Sequence, residues 1–321
     1  MVPVEYNPVR WTRLAFPGAV AGAALAVSAC VAPDRPAGVA PPLPADAVEW
    51  LAPDSARSRA VADGVSYHFA WSARGPWAVH LVAADLDLCE LELVVVPALA
   101  EDGTTRARKT VTAMIPKGAV TALAGVNGDF FARGGAPVGP EVTSATRRSS
   151  GRPGIAWDAE RVPRIGPDHS FSEDGAAAQG VQVMGGFPEL LDGGTRVGDL
   201  EVADRPAFAA ARHPRTAVGF DPAGNLLWLV VVDGRQLPRS AGMSLEELTE
   251  LFLALGAVEA LNLDGGGSSV MTLGERMVSS PSDATGERPV GNSLWVVRDG
   301  SACENGQRGP EADSQASDSP T

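Results

Sequence analysis

The sequence predicts an α+β fold with a mixed, largely antiparallel β-sheet core and few helices. Short apolar runs, alternating or continuous and closed by Gly, Pro or charged residues, recur through the middle of the chain, as is typical of strands. A clear helical pattern is carried by Ser244 to Leu255. With 321 residues, 45% of them hydrophobic, the chain can bury the core of one sizeable domain or two small ones.

The first predicted strands are three runs, at residues 67–71, 78–82 and 89–96. Further along, the apolar runs 216–220 and 226–232 flank residues 221–225, Asp-Pro-Ala-Gly-Asn, whose residue types favour a turn. These two runs therefore predict a β-hairpin.

The predicted helix starts with a capping box. Ser244 is the N-cap and Glu247 lies three residues further on, where its side chain can bond back to the N-cap. Leucines and a phenylalanine then recur on one helical face until Gly256, a candidate C-cap. The sequence thus predicts both ends of this helix.

The sequence after the helix predicts a strand that is followed directly by Asp264. Residues 258–263 deliver Asp264 to the C-terminal end of this strand, where open sheets with helical crossovers usually place their sites. Residues 269–273 and 276–278 then predict a second hairpin.

The N-terminus has the features of a targeting segment. Arg10 and Arg13 precede an apolar run at residues 14–27, and Val27-Ser28-Ala29-Cys30 resembles a bacterial lipobox. We therefore predict a lipoprotein signal peptide at residues 1–29 and lipidation at Cys30. The protein would then be exported and membrane-anchored on the outer side of a bacterial membrane. The alternative is an ordinary secretory signal with an incidental cysteine.

Composition predicts the domain boundaries. Residues 30–55 are rich in Pro, Ala and Asp and lack a period, which predicts a disordered tether. Residues 301–321 contain almost nothing apolar after Cys303 and predict a disordered acidic tail. One domain is expected between them, at residues 56–300.

Charge and cysteine content narrow the function classes. The formal net charge is −13 and the basic residues form no dense cluster, so no nucleic-acid partner is expected. The four histidines are scattered and no CxxC is present, so we assign no metal ligand. Cys89 and Cys303 either form a disulfide, which an exported chain permits, or never meet.

The clearest candidate site is Leu263-Asp264-Gly265-Gly266-Gly267-Ser268-Ser269. Three adjacent glycines can adopt positive φ angles and turn several N–H groups to one side, which forms a concavity for anionic oxygens. Ser268 and Ser269 add hydroxyl donors, and Asn262 and Asp264 add an amide and a carboxylate. The alternative is a mobile hairpin loop without a ligand.

Two further motifs place polar groups beside predicted strands. Asn127-Gly128-Asp129-Phe130-Phe131 follows the apolar segment 120–126, although a turn followed by two core phenylalanines would give the same pattern. Arg215, next to Thr216, lies where a strand is predicted to begin. It could clamp a phosphate with two guanidinium nitrogens, or be an ordinary surface charge.

Taken together, these motifs resemble the phosphodiester glycosidase family. The resemblance covers residues 120–297 and rests on residues 127–131, 215–219, 233–235 and 262–269, with a closing segment of Arg288-Pro289-Val290, Asn292 and Ser293. It implies hydrolysis of a sugar-1-phosphodiester on the sugar side, which gives a free sugar and a phosphomonoester. Predicted export favours phosphoglycans of the cell envelope or its surroundings as substrates.

The resemblance also implies which residues act. Asp264 and Asp129 are the candidate catalytic residues, because a carboxylate can stabilise or trap the oxocarbenium character of a breaking glycosyl bond. The departing phosphate is already a stable anion, so it needs electrostatic capture more than protonation. The implied substrate and phosphate contacts are Asn127, Arg215, Thr216, Asn262, Gly265, Gly266, Gly267, Ser268 and Ser269.

Two other functions are compatible with the same residues. A glycan-binding lipoprotein could keep the fold and the anion site without catalysis. A metal-dependent phosphodiesterase could use Ca²⁺ or Mg²⁺ held by Asp129 and Asp264, although the sequence shows no dense Asp/His set of the kind two-metal enzymes use. The glycosidase interpretation requires no cofactor and is compatible with a single bound Ca²⁺ or Mg²⁺.

Overall fold

The computed structural model describes residues 40–144, 146–148, 150–157, 162–167, 181–197, 200, 206–300 and 303. Its helices are α1 (Ala45–Leu51), α2 (Pro206–Ala210) and α3 (Leu245–Ala254). Its strands are β1 (Ser55–Ala62), β2 (Val65–Ser72), β3 (Trp77–Asp85), β4 (Leu91–Pro97), β5 (Thr121–Asn127), β6 (Glu141–Val142), β7 (Arg147–Arg148), β8 (Pro153–Trp157), β9 (Arg164–Pro167), β10 (Gln182–Gly185), β11 (Glu189–Asp192), β12 (Thr195–Arg196), β13 (Arg215–Phe220), β14 (Leu226–Val232), β15 (Glu259–Asn262), β16 (Met271–Leu273), β17 (Arg276–Met277) and β18 (Asn292–Arg298).

The strands form three sheets. The largest has the order β1-β2-β3-β14-β13-β15-β11-β12, and the two others have the orders β7-β6-β10-β8-β9 and β17-β16-β5-β18-β4. Every pairing between these strands is antiparallel. The β-rich core with few helices is as predicted. A mixed sheet would also contain parallel pairs of strands. No parallel pair occurs among the described strands.

The large sheet is covered on both faces. Residues of β14 alternate between two buried clusters, with Leu227, Leu229 and Val231 facing the other sheets and Trp228 and Val230 facing the helices. A strand buried on both faces has a continuous apolar sequence. This explains why β14 lacks the polar alternation of a half-exposed strand.

The local patterns predicted about half of the described elements, ten of the 21 helices and strands given above. The predicted apolar runs correspond to strands β2, β3, β4, β5 and β15 and to the hairpins β13–β14 and β16–β17. Helix α3 has the predicted capping box, with Ser244 Oγ accepting from the Glu247 N–H and the Glu247 carboxylate accepting from the Ser244 N–H.

The predicted tether is wrong for its C-terminal part. Residues 45–51 form α1, which buries Ala47 and Leu51 completely against the cluster that contains α3. An apolar pair spaced by four residues lies on one helical face, so burial of that face outweighs the proline-rich context before it. The domain therefore begins before residue 56.

The signal peptide, Cys30 and most of the acidic tail lie outside the described residues and stay predictions. Within the part that the structure describes, no helix is long and apolar enough to cross a membrane. Cys303 is described, and the structure joins it to Cys89 in a disulfide, one of the two alternatives left open by the sequence.

Candidate active site

The site forms where β5 of one sheet and β15 of another end side by side. The Asp264 N–H, just after β15, donates to the Gly128 carbonyl, just after β5, at 3.0 Å. The Asn127 side-chain amide donates to the Asp264 carbonyl at 2.6 Å. These two contacts fix the two candidate catalytic loops to each other.

Asn127 joins these loops through its side chain. Its side-chain oxygen accepts from the Thr216 hydroxyl at 2.7 Å and from the Val270 N–H at 3.1 Å. Asn127 and Thr216 are both fully buried. Both side chains hold β5, β13 and the glycine loop together, and the predicted substrate contacts of Asn127 and Thr216 stay predictions.

Asp129 is a buried carboxyl group with one unpartnered oxygen. Its Oδ2 accepts from the Gly139 N–H at 2.6 Å, while Oδ1 has no hydrogen-bond partner among the described residues. Burial raises its pKa to about 7; hydrogen bonds from the Gly139 and Phe130 N–H groups and the charge of Arg152 oppose this rise, and the charge of Asp264 adds to it.

Glycines leave room for this carboxyl group. A Cβ on Gly139 or Gly185 would come 2.9 or 2.8 Å from Asp129 Oδ2, closer than real contacts allow. Neither glycine belongs to a motif that stood out in the sequence.

A buried network of side-chain hydrogen bonds holds the main chain of Asp129. Asn292 Oδ1 accepts from the Asp129 N–H at 2.8 Å, and Asn292 Nδ2 donates to Glu141 Oε2 at 2.7 Å. The other Glu141 oxygen accepts from Arg106 and from the Thr146 hydroxyl. Glu141 and Arg106 were not predicted from the sequence, because neither belongs to a motif and only the three-dimensional fold brings them together.

Asp264 is the second carboxyl group of the site. Its Oδ1 accepts from the Gly265 N–H at 2.9 Å. Burial raises its pKa to about 6, and contacts from Ser268 and Gly265 and the charge of Arg288 oppose the rise. The Ser268 hydroxyl lies near this carboxyl group but forms no regular hydrogen bond with it.

Most N–H groups of the glycine loop are bonded within the protein. The N–H groups of Gly265 and Gly266 donate to Asp264 Oδ1 and the Pro214 carbonyl, and those of Ser268 and Ser269 donate within the loop. These four donors are already used by the protein. No bond is described for the Gly267 N–H, and the predicted phosphate contacts of Gly265, Gly266 and Gly267 stay predictions.

The glycines also let two arginines approach the backbone of the glycine loop. Gly266 has φ +63°, and a Cβ there would lie 3.2 Å from both terminal nitrogens of Arg235. A Cβ on Gly267 would overlap Arg288 and Asp283, which form a bidentate ion pair at 2.8 and 3.0 Å. The glycine run thus brings cationic side chains close to Asp264.

Arg215 does not present the predicted phosphate clamp. Its Nε donates to the Met243 carbonyl at 2.9 Å, and its Nη2 donates to the carbonyls of Phe208 and Ala211 at 2.6 and 3.1 Å. The side chain is only 2% exposed, and burial lowers its pKa to about 10. Arg215 therefore anchors α2 and the segment before α3 to β13.

Arg152 is a third cation near the carboxyl groups. Its charge lowers the pKa of Asp129, and its guanidinium carbon lies 5.0 Å from the centre of the Phe187 ring. Phe187 stacks on Phe208 with ring centres 6.5 Å apart, and Phe208 contacts Phe130 at 6.0 Å. One wall of the site is therefore aromatic and carries a cation.

Buried polar atoms without partners accumulate at this site. Within the described part of the chain they include Asp129 Oδ1, Asn262 Oδ1, Ser268 Oγ and Ser269 Oγ. Asn262 otherwise donates to the Phe187 and Leu263 carbonyls. Native proteins pair most buried polar groups, so such a group of free atoms indicates a place where a polar ligand binds. The predicted roles of Asn262, Ser268 and Ser269 stay predictions.

The described residues contain no group of three or more His, Cys, Asp or Glu side chains arranged to hold a metal ion. That the reaction requires no cofactor stays a prediction.

Comparisons with known proteins agree with this geometry. The phosphodiester glycosidase family profile matches residues 120–297, more than half of the chain. N-acetylglucosamine-1-phosphodiester alpha-N-acetylglucosaminidase of Bos taurus is 46% identical over 76 residues, which are 24% of this chain and 14% of that protein. The prophage-derived protein YomE of Bacillus subtilis (strain 168) is 39% identical over 85 residues, 26% of this chain and 13% of that protein. The matched segments thus span about one seventh of these relatives.

Two solved structures share the fold. The catalytic domain of the zebrafish N-acetylglucosamine-1-phosphodiester alpha-N-acetylglucosaminidase, auto-inhibited by its pro-peptide, superposes with a TM-score of 0.58 at 20% identity, covering 76% of this chain and 84% of that one. A hypothetical protein from Synechocystis superposes with a TM-score of 0.54 at 18% identity, covering 74% and 62%. By its sequence match and its fold, this chain belongs to the phosphodiester glycosidase family.

Proposed function

We propose that this protein hydrolyses the bond between the anomeric carbon of a sugar and a phosphodiester, and so releases a free sugar and a phosphomonoester. The observation that carries the proposal is the electrostatically coupled pair Asp129 and Asp264, with pKa values raised to about 7 and about 6. Two carboxyl groups whose surroundings separate their pKa values can take different roles in one reaction.

Asp264 has the lower pKa and is mostly ionised at neutral pH. In the proposed mechanism its carboxylate faces the anomeric carbon and stabilises, or covalently traps, the positive charge that develops as the bond to phosphate breaks. The Asn127 amide holds the main chain of Asp264, so this carboxylate is oriented before the substrate binds.

Burial raises the pKa of Asp129 to about 7, so this carboxyl group can carry a proton near neutral pH. The leaving phosphate has a second pKa of about 6, so proton transfer from Asp129 to a phosphate oxygen is nearly balanced in free energy. A water molecule then adds its hydroxyl to the anomeric carbon and returns its proton to Asp129. The products are a sugar and a phosphomonoester.

The leaving phosphate needs positive charge around it. Arg235 and Arg288 lie against the glycine loop, and Arg152 lies on the side of Asp129. We assign Arg235 and Arg152 to phosphate capture, the role that the sequence suggested for Arg215, while Arg288, which is paired with Asp283, adds positive charge nearby. Guanidinium groups suit this role because their planar fork matches two phosphate oxygens.

The proposed setting is the outside of a bacterial cell membrane. The lipobox-like segment before Cys30 supports a lipid anchor, and export would expose the protein to phosphoglycans of the envelope. Incorporation of radiolabelled palmitate into the wild type and its loss in Cys30→Ser would support the anchor. Equal labelling of both proteins would remove it from the proposal.

Product analysis tests the proposed reaction. The chain from residue 40 onward is incubated with alpha-N-acetylglucosamine-1-phosphodiesters and with teichoic-acid-like polymers, with and without a chelator. Free sugar plus phosphomonoester in both arms is the expected result. Sugar-1-phosphate, lost on chelation and restored by Ca²⁺ or Mg²⁺, would instead identify a metal-dependent phosphodiesterase. Saturable binding without any product would identify a glycan-binding protein.

A further inference from the structure

A second polar cleft lies outside the candidate active site, between two sheet edges. Its volume is about 290 Å³, and it is lined by Arg57, Ser58, Arg59, Tyr67, Arg276, Met277 and Val278. Strand β1 is the edge of the large sheet and β17 is the edge of the sheet that contains β5. We call this feature the arginine cleft, defined by Arg57, Arg59 and Arg276.

Aromatic rings hold two of the arginines in place. Residues 57 and 59 of β1 pair with Phe69 and Tyr67 of β2. The guanidinium carbons of Arg57 and Arg59 lie 4.7 and 5.5 Å from the centres of these rings. Stacking on a ring uses the face of a guanidinium and leaves the N–H groups at its edge for polar partners. Arg57 also contacts the Tyr67 hydroxyl through its side chain, and its other N–H groups face the cleft.

The three arginines have no carboxylate partner among the described residues. The chain as a whole has a net charge of −13, so carboxylates are plentiful elsewhere. Three like charges around one cleft repel each other, and a bound anion would relieve this repulsion. Nothing in the packing of the core requires this arrangement, since all three residues are exposed.

A chain of hydrogen bonds runs from the floor of the cleft into the protein as far as Asp233. The Tyr67 hydroxyl bonds to His80 Nδ1 at 2.8 Å, and His80 Nε2 bonds to Asp233 Oδ2 at 3.2 Å. Asp233 Oδ1 accepts from the Ser280 N–H at 2.8 Å. Asp233 is two residues from Arg235, which lies against Gly266 of the glycine loop, so this chain leads from the cleft toward the candidate active site.

We propose that the arginine cleft binds a phosphate group of a phosphodiester-linked polymer, as a second subsite beside the diester that is cleaved. Three guanidinium groups can donate several charge-assisted hydrogen bonds to such a group. Met277, which is 38% exposed, and Val278 offer an apolar side for the linker between phosphates. The choice of a phosphate polymer as ligand rests on the proposed function.

Direct binding tests this proposal without any turnover. The probe is a poly(glycerol phosphate) oligomer that carries no sugar, which a glycosidase cannot cleave, and inorganic phosphate is the second arm. Affinities are measured by calorimetry for the wild type, for the triple variant Arg57→Gln/Arg59→Gln/Arg276→Gln and for the corresponding triple lysine variant. Arg196→Gln removes one exposed positive charge far from the cleft and is compared with the single variant Arg276→Gln.

We expect the oligomer to bind the wild type more tightly than inorganic phosphate does, and the triple glutamine variant to lose about ten- to hundredfold in affinity. The lysine variant keeps the charges and should recover part of this loss, which separates the effect from a folding defect. Arg276→Gln should bind more weakly than the wild type, and Arg196→Gln should bind like it. Equal affinity of wild type and triple glutamine variant, or no binding of the oligomer to the wild type, would overturn the proposal.

The proposed reaction and the cleft can fail separately. If product analysis shows no sugar release while the oligomer still binds through the three arginines, the cleft stands and the reaction does not. If sugar is released and the triple variant binds the oligomer as the wild type does, the reaction stands and the cleft does not.

Discussion

The Asn127 side chain donates a 2.6 Å hydrogen bond to the main-chain oxygen of Asp264, and so joins the ends of two strands from different sheets. The same side chain accepts from Thr216 and from Val270, so all its polar atoms are occupied. A buried amide held by three hydrogen bonds is a rigid joint. The position of the Asp264 carboxylate therefore depends on both sheets being correctly assembled.

Asp264→Asn should fold normally and lose most activity. The amide cannot stabilise developing positive charge as a carboxylate does, so kcat should fall by roughly 10³ to 10⁵-fold. Because burial disfavours the charged form of Asp264, removing this charge should not lower the free energy of unfolding at neutral pH. The measurements are steady-state kinetics and urea unfolding, with Asp87→Asn at an exposed aspartate as control. Activity close to that of the wild type would remove Asp264 from the mechanism.

Asp129 should make stability depend on pH. Its pKa rises from the ordinary value of 3.8 to about 7 in the folded protein, so folding favours the protonated form. This contribution to stability is complete below about pH 4 and is lost as pH rises through about 7. The amide side chain of the variant Asp129→Asn does not titrate. Between pH 4 and pH 7, the free energy of unfolding should therefore fall by on the order of 2 to 4 kcal/mol less in Asp129→Asn than in the wild type.

Urea unfolding at several pH values between 4 and 7 measures this dependence of the free energy of unfolding on pH. This pH range is set by the pKa of Asp129 in the unfolded and folded protein. Asp87→Asn should keep the wild-type dependence, because its side chain is exposed. Parallel curves for the wild type and Asp129→Asn would mean that the Asp129 carboxyl group is not protonated by folding.

Glu141→Gln tests the polar chain behind Asp129. Glu141 accepts from Asn292, which in turn accepts from the Asp129 N–H, so loss of the Glu141 charge should loosen the position of Asp129. We expect kcat to fall about ten- to hundredfold with little change in KM, since misplaced catalytic groups mainly lower kcat.

Thr146→Val is the matched control for Glu141→Gln. It removes a hydrogen bond to Glu141 on the oxygen that Asn292 does not use, and its kcat should fall less. Activity should peak between the pKa values of about 6 and about 7 in the wild type and keep this peak in both variants. An unchanged kcat in Glu141→Gln would make the chain a purely structural feature.

Gly267→Ala tests the role assigned to the glycine run. The added Cβ would overlap the Arg288–Asp283 ion pair and push the guanidinium away from Asp264. We expect a rise in KM and a stability loss of about 1–3 kcal/mol from overpacking. Gly300→Ala, where a Cβ meets nothing within 4 Å, should behave as the wild type. If Gly267→Ala has wild-type kinetics, Arg288 does not contact the substrate.

The sequence predicted the elements that local patterns control. Strands β13 and β14 followed from two apolar runs around a turn segment, and α3 followed from the Ser244 capping box. Helix α1 was missed because prolines precede it, although Ala47 and Leu51 have the spacing of one helical face. The helical spacing of Ala47 and Leu51 was present in the sequence, but the proline-rich composition of the segment favoured a disordered tether.

The sequence predicted that the segments of Asp129 and Asp264 meet, whereas it did not predict the hydrogen-bond partners of several neighbouring residues. Asp129 and Asp264 lie together as the ordered motifs suggested. Arg215 and Asn127 are polar residues in the expected places, yet their partners are main-chain groups from distant segments. Which polar residue is free for substrate depends on long-range packing, and no local pattern encodes that.

Isotope position in the product tests the central claim most directly. The protein is incubated with an alpha-N-acetylglucosamine-1-phosphodiester in heavy-oxygen water, and the sugar and phosphate products are analysed by mass spectrometry. Attack at the anomeric carbon, assisted by Asp264 and Asp129, predicts that the heavy oxygen enters the sugar and none enters the phosphomonoester. Heavy oxygen in the phosphate would show cleavage of the phosphorus–oxygen bond and contradict the glycosidase mechanism.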